Sequence, residues 1–233
     1  MVNVPGWREV PLARLLARRL RCRCVVDNDA NLVALGEWRF GAGRGARQLV
    51  CLTLGTGVGG GLILNGRLYR GASGAAGELG HMVIDPDGPH CGCGTRGCLE
   101  AHVGTAAVVR RGRAAMRAGA ARLTTLVHEA DGVLTPALIS QAARAGDRAA
   151  KRIWLDVGRW LGIGLANVTN LLNPERIVIG GGLSNAWPFF APALRSTLRA
   201  QAMAVPASAV RVVRAQLGDR AGIVGAAVLV WNE

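Results

Sequence analysis

The stretch from His81 to Glu100, HMVIDPDGPHCGCGTRGCLE, most restricts what this chain can fold into, because four metal-type ligands within it must meet at one point. His81, Cys91, Cys93 and Cys98 offer one imidazole and three thiolates, the set that zinc holds in a closed tetrahedral shell. A shell with no open position is structural rather than catalytic. Gly92, Gly94 and Gly97 let the backbone turn between ligands, and Pro86 and Pro89 stiffen the approach. His90, next to Cys91, is the rival imidazole, and free buried thiols or a disulfide are the plainer alternatives. A disulfide fits poorly, since nothing in the sequence resembles a secretory signal.

Around this segment, strands and helices alternate. EVPLARLLARRL places Val10, Leu12, Leu15, Leu16 and Leu20 on one helical stripe, with Pro11 suited to a first turn. A short strand over 24–27 is expected to run into Asn28-Asp29-Ala30-Asn31, which opens a helix reaching Trp38. Residues 48–54 read as an apolar strand, 55–61 as a glycine-rich turn, and 62–64 as a strand leading to the hairpin signal Asn65-Gly66. Helices are expected over 105–118, 135–145 and 147–172. A buried strand over 175–179 then ends in Gly180-Gly181-Gly182, and a helix, a strand over 211–214 and a last helix from Asp219 follow. This alternation gives the α/β class.

The 233 residues, half of them hydrophobic, suffice for one sizeable core, or for a complete lobe and part of a second. Glycine, arginine or asparagine interrupts every apolar run before it reaches membrane-spanning length, so the chain reads as soluble and cytoplasmic with no membrane partner. A formal charge of +13 raises the question of nucleic acid. The charge is almost all arginine, Lys151 being the one lysine, and it is scattered over presumed helix faces. It reads as a compositional bias on solvated surfaces and argues against a nucleic-acid partner, with Arg18, Arg19, Arg21 and Arg23 the one dense group.

Three groups of residues can carry chemistry. Asp29 stands at a strand-to-helix junction, where α/β folds place functional groups, although a helix cap is the plainer role there. In LGTGVGGG, the amides around Gly55, Thr56, Gly57 and Gly59, with the Thr56 hydroxyl, can cradle phosphate oxygens, or the loop is simply a hairpin connection. Glu78 and Glu100 flank the metal ligands, where they can accept hydroxyl groups of a bound solute or only orient the ligands. His81 can serve twice, with one ring nitrogen on zinc and the other on a hydroxyl. Cys22, Cys24 and Cys51 fall outside the metal pattern, and core packing is their expected role.

GELGHM at 77–82, followed by CGCGTRGCLE at 91–100, resembles the signature of the ROK family of repressors, open reading frames and sugar kinases without a gap or substitution. The resemblance extends over nearly the whole chain. It implies a two-lobed, actin-like or ribonuclease-H-like sugar kinase fold with sugar and nucleotide in the cleft. By that resemblance Asp29 is the general base that deprotonates a hexose hydroxyl, and Asn28, Glu78, His81 and Glu100 contact the sugar. Gly55, Thr56, Gly57 and Gly59 meet the phosphates of ATP with Mg2+, and Gly181 lies near the adenosine portion. The zinc is structural, and a homodimer is implied.

The same resemblance divides the chain into 1–29 as a remnant of the first lobe, 30–216 as the large lobe with the zinc loop, and 217–233 as a closing helix returning to the first lobe. Kinases of the family begin with an Asp-x-Gly-Gly-Thr segment that meets the nucleotide, and these 233 residues contain none. The resemblance therefore implies an incomplete first lobe, a weakened phosphate clamp, and uncovered apolar surface that favours association. The leading expectation is a glucokinase-like, ATP-dependent sugar kinase. The other class is the sugar-sensing part of a ROK repressor, binding sugar without turnover. The lack of a helix-turn-helix and the kinase-like LGTGVGGG favour the first.

Overall fold

Burial along the two central strands decides the architecture. In β1 (Leu49–Leu54), Val50, Leu52 and Leu54 are buried in one apolar cluster, while Leu49 and Cys51 are buried in another. A strand that is apolar on both faces needs a helical layer on each. The computed structural model, which describes residues 10–232, supplies both layers.

The sheet has the order β3-β2-β1-β4-β5, with β2 spanning Val58–Leu64, β3 Arg67–Tyr69, β4 Arg176–Gly180 and β5 Arg211–Arg214. The first three strands form an antiparallel meander, and β4 and β5 add in parallel to β1. Asn65 and Gly66, both at positive φ (53° and 72°), make the tight β2–β3 turn as expected from their sequence. The helices are α1 (Leu12–Leu20), α2 (Asp29–Phe40), α3 (Leu99–Val103), α4 (Thr105–Arg117), α5 (Ala121–Glu129), α6 (Pro136–Arg144), α7 (Arg148–Leu172), α8 (Trp187–Gln201), α9 (Ala204–Ala209) and α10 (Ala221–Asn232).

On one face, Ala34 and Leu35 of α2 and Val228 and Leu229 of α10 cover Leu49, Cys51, Ile63 and Val178. On the other, Leu161 and Leu165 of α7, Phe190 and Leu194 of α8 and Ile139 of α6 cover Val50, Leu52, Ile177 and Ile179. The helix α10 thus shares its core with α2 and the sheet: a Cβ on Gly225 would lie 1.7 Å from the Leu32 carbonyl oxygen, so only glycine permits this approach. Ile223 and Trp231, also on α10, are exposed. Among the described residues no helix is long and apolar enough to cross a membrane.

Glu37 closes this layer from inside. Its fully buried carboxylate accepts the backbone N–H groups of Ala42 (2.8 Å), Gln216 (3.0 Å) and Leu217 (2.7 Å), tying the link from β5 to α10 onto the end of α2. Glu37→Ala would strand three donors, each costing about 1–3 kcal/mol when buried without a partner. With partial relaxation we expect a loss on the order of 3 kcal/mol in urea unfolding, and a smaller loss for Glu37→Gln. A loss below about 1 kcal/mol would mean that water replaces the carboxylate.

Several expectations need correction. No strand forms over 24–27: the segment is extended but pairs with no strand among the described residues, and a lone strand leaves its backbone groups unsatisfied. With it falls the core role of Cys22 and Cys24, which are exposed and half-buried, whereas Cys51 is fully buried. The helix α1 forms, yet none of its residues is buried. The glycine run is mostly strand, since β2 begins at Val58, leaving the turn to 55–57. Gly59 and Gly61 are there for packing: their Cβ atoms would sit 2.9 and 2.5 Å from the Cβ atoms of Ala30 and Ala34 on α2. Helices α3, α5 and α9 were not anticipated, all being short and without a long apolar period.

Candidate functional site

The loop after β3 folds back on itself through two isolated bridges, Val83 with Cys98 and His90 with Arg96. Gly94 (φ 96°) and Gly97 (φ 68°) adopt left-handed backbone that other residues resist, and Gly97 passes so close to the Asp85 carbonyl that a Cβ would overlap it. The result gathers one ligand atom each from His81, Cys91, Cys93 and Cys98, all within 4.8 Å of one another.

Cys93 Sγ and Cys98 Sγ lie 3.7 Å apart, as do His81 Nδ1 and Cys91 Sγ. Two sulfurs each about 2.3 Å from a central zinc in a tetrahedron stand roughly 3.8 Å apart, so the donor set fits that ion in chemistry and in spacing. His90 is not part of the cluster; its Nε2 lies 3.1 Å from the Arg96 guanidinium. The thiols differ in their surroundings. Burial pushes Cys91 up to about 12, while hydrogen bonding from the Thr95 hydroxyl, 3.2 Å away, pulls Cys93 down to about 6.

Because His81 turns Nδ1 towards the thiols, its Nε2 is left facing Glu78, 3.9 Å from Oε2. The Glu78 side chain is 62 % exposed and ready to meet a solute. Glu100 behaves differently. Its Oε2 accepts the Val58 N–H at 2.9 Å, and its Oε1 lies 3.7 Å from Cys91 Sγ, so one carboxylate bridges the glycine turn and the thiol cluster. A Cβ on Gly57 would come within 2.5 Å of that same Oε2, which explains the glycine.

The turn itself ends β1. Gly55 accepts both the backbone N–H and the hydroxyl of Thr105, at 3.0 and 2.8 Å, which ties it to the start of α4. Gly181, at φ 79°, follows β4 and lies against Leu54, whose carbonyl oxygen would be 2.4 Å from an added Cβ. Two glycine loops therefore meet beside the carboxyl ends of parallel neighbours β1 and β4, the edge where open α/β sheets hold ligands.

Asn28 and Asp29 start α2. Asn28 is the N-cap, its Oδ1 accepting from Ala30 N at 2.8 Å and Asn31 N at 3.4 Å. The capping role therefore falls mainly to Asn28, and Asp29, one position into the helix, keeps an exposed carboxylate that accepts the Ala30 N–H. Because Ala30 packs against Gly59, the start of α2 lies beside β2. Since Gly57 and Val58 touch Glu100, the stretch 57–59 runs from the metal loop to the start of α2.

Two anchoring groups escaped the sequence reading. Asp27 is a buried carboxylate that pairs with Arg70 at 2.8 Å and accepts from Asn28 N (2.8 Å) and Asn31 Nδ2 (2.7 Å), fixing the approach to Asp29. His102, buried on α3, stacks on Trp160 with ring centroids 4.0 Å apart and lies 3.5 Å from Asp85 Oδ2, holding the metal loop to the helical layer. Burial, followed by the charges of Arg111 and Arg110, lowers its pKa against the opposing pull of Asp85. Neither had a motif to mark it, although an Asp one residue ahead of the Asn28 cap was a visible signal for the first.

The sequence profile of the ROK family matches residues 1–233. The glucokinase of Thermotoga maritima is 41% identical over 232 residues, covering 98% of this chain and 72% of that protein. The DNA-binding transcriptional dual regulator NagC of Escherichia coli is 34% identical over 229 residues, covering 98% of this chain and 54% of that protein. The crystal structure of a ROK family glucokinase from Streptomyces griseus, in complex with glucose and AMPPNP, superposes with a TM-score of 0.87 at 39% identity, covering 98% of this chain and 74% of that one. The fold is accordingly the actin-like, ribonuclease-H-like sugar kinase fold. From its full-length profile match and these similarities, the chain belongs to the ROK family.

Proposed function

We propose that the chain is an ATP-dependent hexose kinase of the glucokinase type, with Asp29 as its general base. The sugar-kinase class follows from the glucokinase relatives and the shared fold. The observation that supports the finer reading is the position of the segment after the glycine turn: Gly57 and Val58 touch Glu100 of the metal loop, and Gly59 touches Ala30, next to Asp29 at the start of α2. A sugar beside Glu78, His81 and Glu100 would then have both a base and a phosphate cradle at hand.

In this reading Asp29 takes the proton of a hexose hydroxyl as its oxygen attacks the γ-phosphorus. Asn28 has its oxygen committed to the cap, so its amide nitrogen is the group left to donate to a sugar hydroxyl. Glu78 accepts hydroxyls, and His81 presents Nε2. Glu100 holds the Val58 N–H and so couples the sugar wall to the phosphate turn. The turn of Gly55, Thr56 and Gly57 receives phosphate oxygens, Gly59 lets that turn sit close to α2, and Gly181 lets the nucleotide approach the end of β4. Mg2+ bound with ATP would supply charge neutralisation on the phosphates. Zinc on His81, Cys91, Cys93 and Cys98 has a structural task.

The second reading is a sugar sensor, favoured by the similarity to NagC. A coupled ATP-consumption assay over a hexose panel, with calorimetric sugar binding on the same zinc-loaded sample, separates the two. Hexose-dependent ATP consumption is expected. Sugar binding with no ATP consumption would replace the kinase by the sensor.

A further inference from the structure

Cys22 and Cys24 have no part in the metal loop or in the core. Their sulfurs lie 4.0 Å apart, and the first is exposed while the second is half-buried. Cys22 lies in a bend that follows the left-handed Arg21, and this local turn brings the two sulfurs to the same side of the chain. The segment carries no sheet pairing among the described residues. Closing the remaining gap to a bond of about 2 Å therefore needs only local torsions and breaks no ladder.

The two ends of the segment differ in how firmly they are held. Downstream, Asp27 is clamped by Arg70, Asn31 and the Asn28 N–H. Upstream, α1 has no buried residue, and Arg21 at its end already adopts a left-handed turn. The free end can follow the sulfurs as they draw together while the clamp keeps Asp29 in place. Arg18, Arg19, Arg21 and Arg23 flank the pair in sequence, and their positive charge favours anionic small disulfides such as oxidised glutathione.

We propose that Cys22 and Cys24 form a reversible dithiol–disulfide site for small disulfides, separate from the zinc thiols. The thiolate of Cys22, the more exposed sulfur, attacks one sulfur of glutathione disulfide and expels a glutathione thiolate. Cys24 then attacks the Cys22 sulfur of the mixed disulfide and expels the second glutathione. The protein gives up two protons and two electrons, which leave on two glutathione thiols.

Peptide mapping tests this on the zinc-loaded protein, treated with glutathione disulfide and then alkylated. Trypsin cleaves after Arg21 and Arg23, so the oxidised site yields a short Cys22 peptide joined to the peptide that starts at Cys24, and dithiothreitol separates them. Cys24→Ser is expected to stop at a glutathione adduct on Cys22. Wild-type protein that also stops at the adduct, or whose two thiols are both recovered alkylated after oxidation, would overturn the proposal.

Discussion

Replacing Asp29 by asparagine is expected to lower hexose-dependent ATP consumption by about 10²- to 10⁴-fold, the range usual for loss of a general base. Sugar affinity should stay within a few-fold, since the amide keeps the size of the carboxylate and hydroxyls can still bond to it. The fold should tolerate the change, because the helix cap that α2 depends on is Asn28. Losing a negative charge in the first turn costs only about 0.3–1 kcal/mol through the helix dipole. Single-turnover kinetics on the variant, with its sugar affinity measured calorimetrically, make the comparison. Activity within tenfold of wild type would remove Asp29 as the base, and an equal loss of affinity would recast it as a binding group.

What the sequence revealed of this site follows from which contacts are local. The four metal ligands lie within one loop, so ligand chemistry and glycine spacing were enough to group them, and the fold brings them together. The strands β1 and β4 were legible for a similar reason: each is a short apolar run, and burial on both faces leaves no other use for it. The β2–β3 turn was written in Asn65-Gly66.

Contacts between distant parts of the chain were harder to read. LGTGVGGG looked like one long turn because glycine signals both turning and close approach. Only the position of α2 shows that Gly59 and Gly61 serve the second purpose. The clamp of Glu37 on Gln216 and Leu217 spans most of the chain and has no local pattern. The expected strand over 24–27 failed for the converse reason: β-branched residues make an extended segment, but a strand also needs a neighbour. Choosing between His81 and His90 likewise required knowing that His90 turns to Arg96.

Removing the metal should test the link between loop and sugar pocket most severely. Cys93 suits the purpose because its side chain is exposed, so Cys93→Ser removes a ligand with little change in packing. With zinc present at about a hundred times its dissociation constant, the ion adds roughly 2.7 kcal/mol to the stability of the folded chain. For a chain of this size each kcal/mol moves the melting temperature by about 2–4 °C, so chelation or Cys93→Ser should lower Tm by about 5–10 °C. Sugar affinity should fall in the same variant. His81 would lose the ion that orients its ring, and Glu100 would lose a fixed neighbour in Cys91 while still holding the Val58 N–H. Cys22→Ser, outside the cluster, controls for thiol loss alone and should leave metal content, Tm and affinity unchanged. Metal analysis of the purified wild type is the first measurement: protein without zinc would end the structural-metal assignment. A Cys93→Ser variant that loses zinc but binds sugar as tightly as wild type would instead show that the pocket holds its shape without the ion.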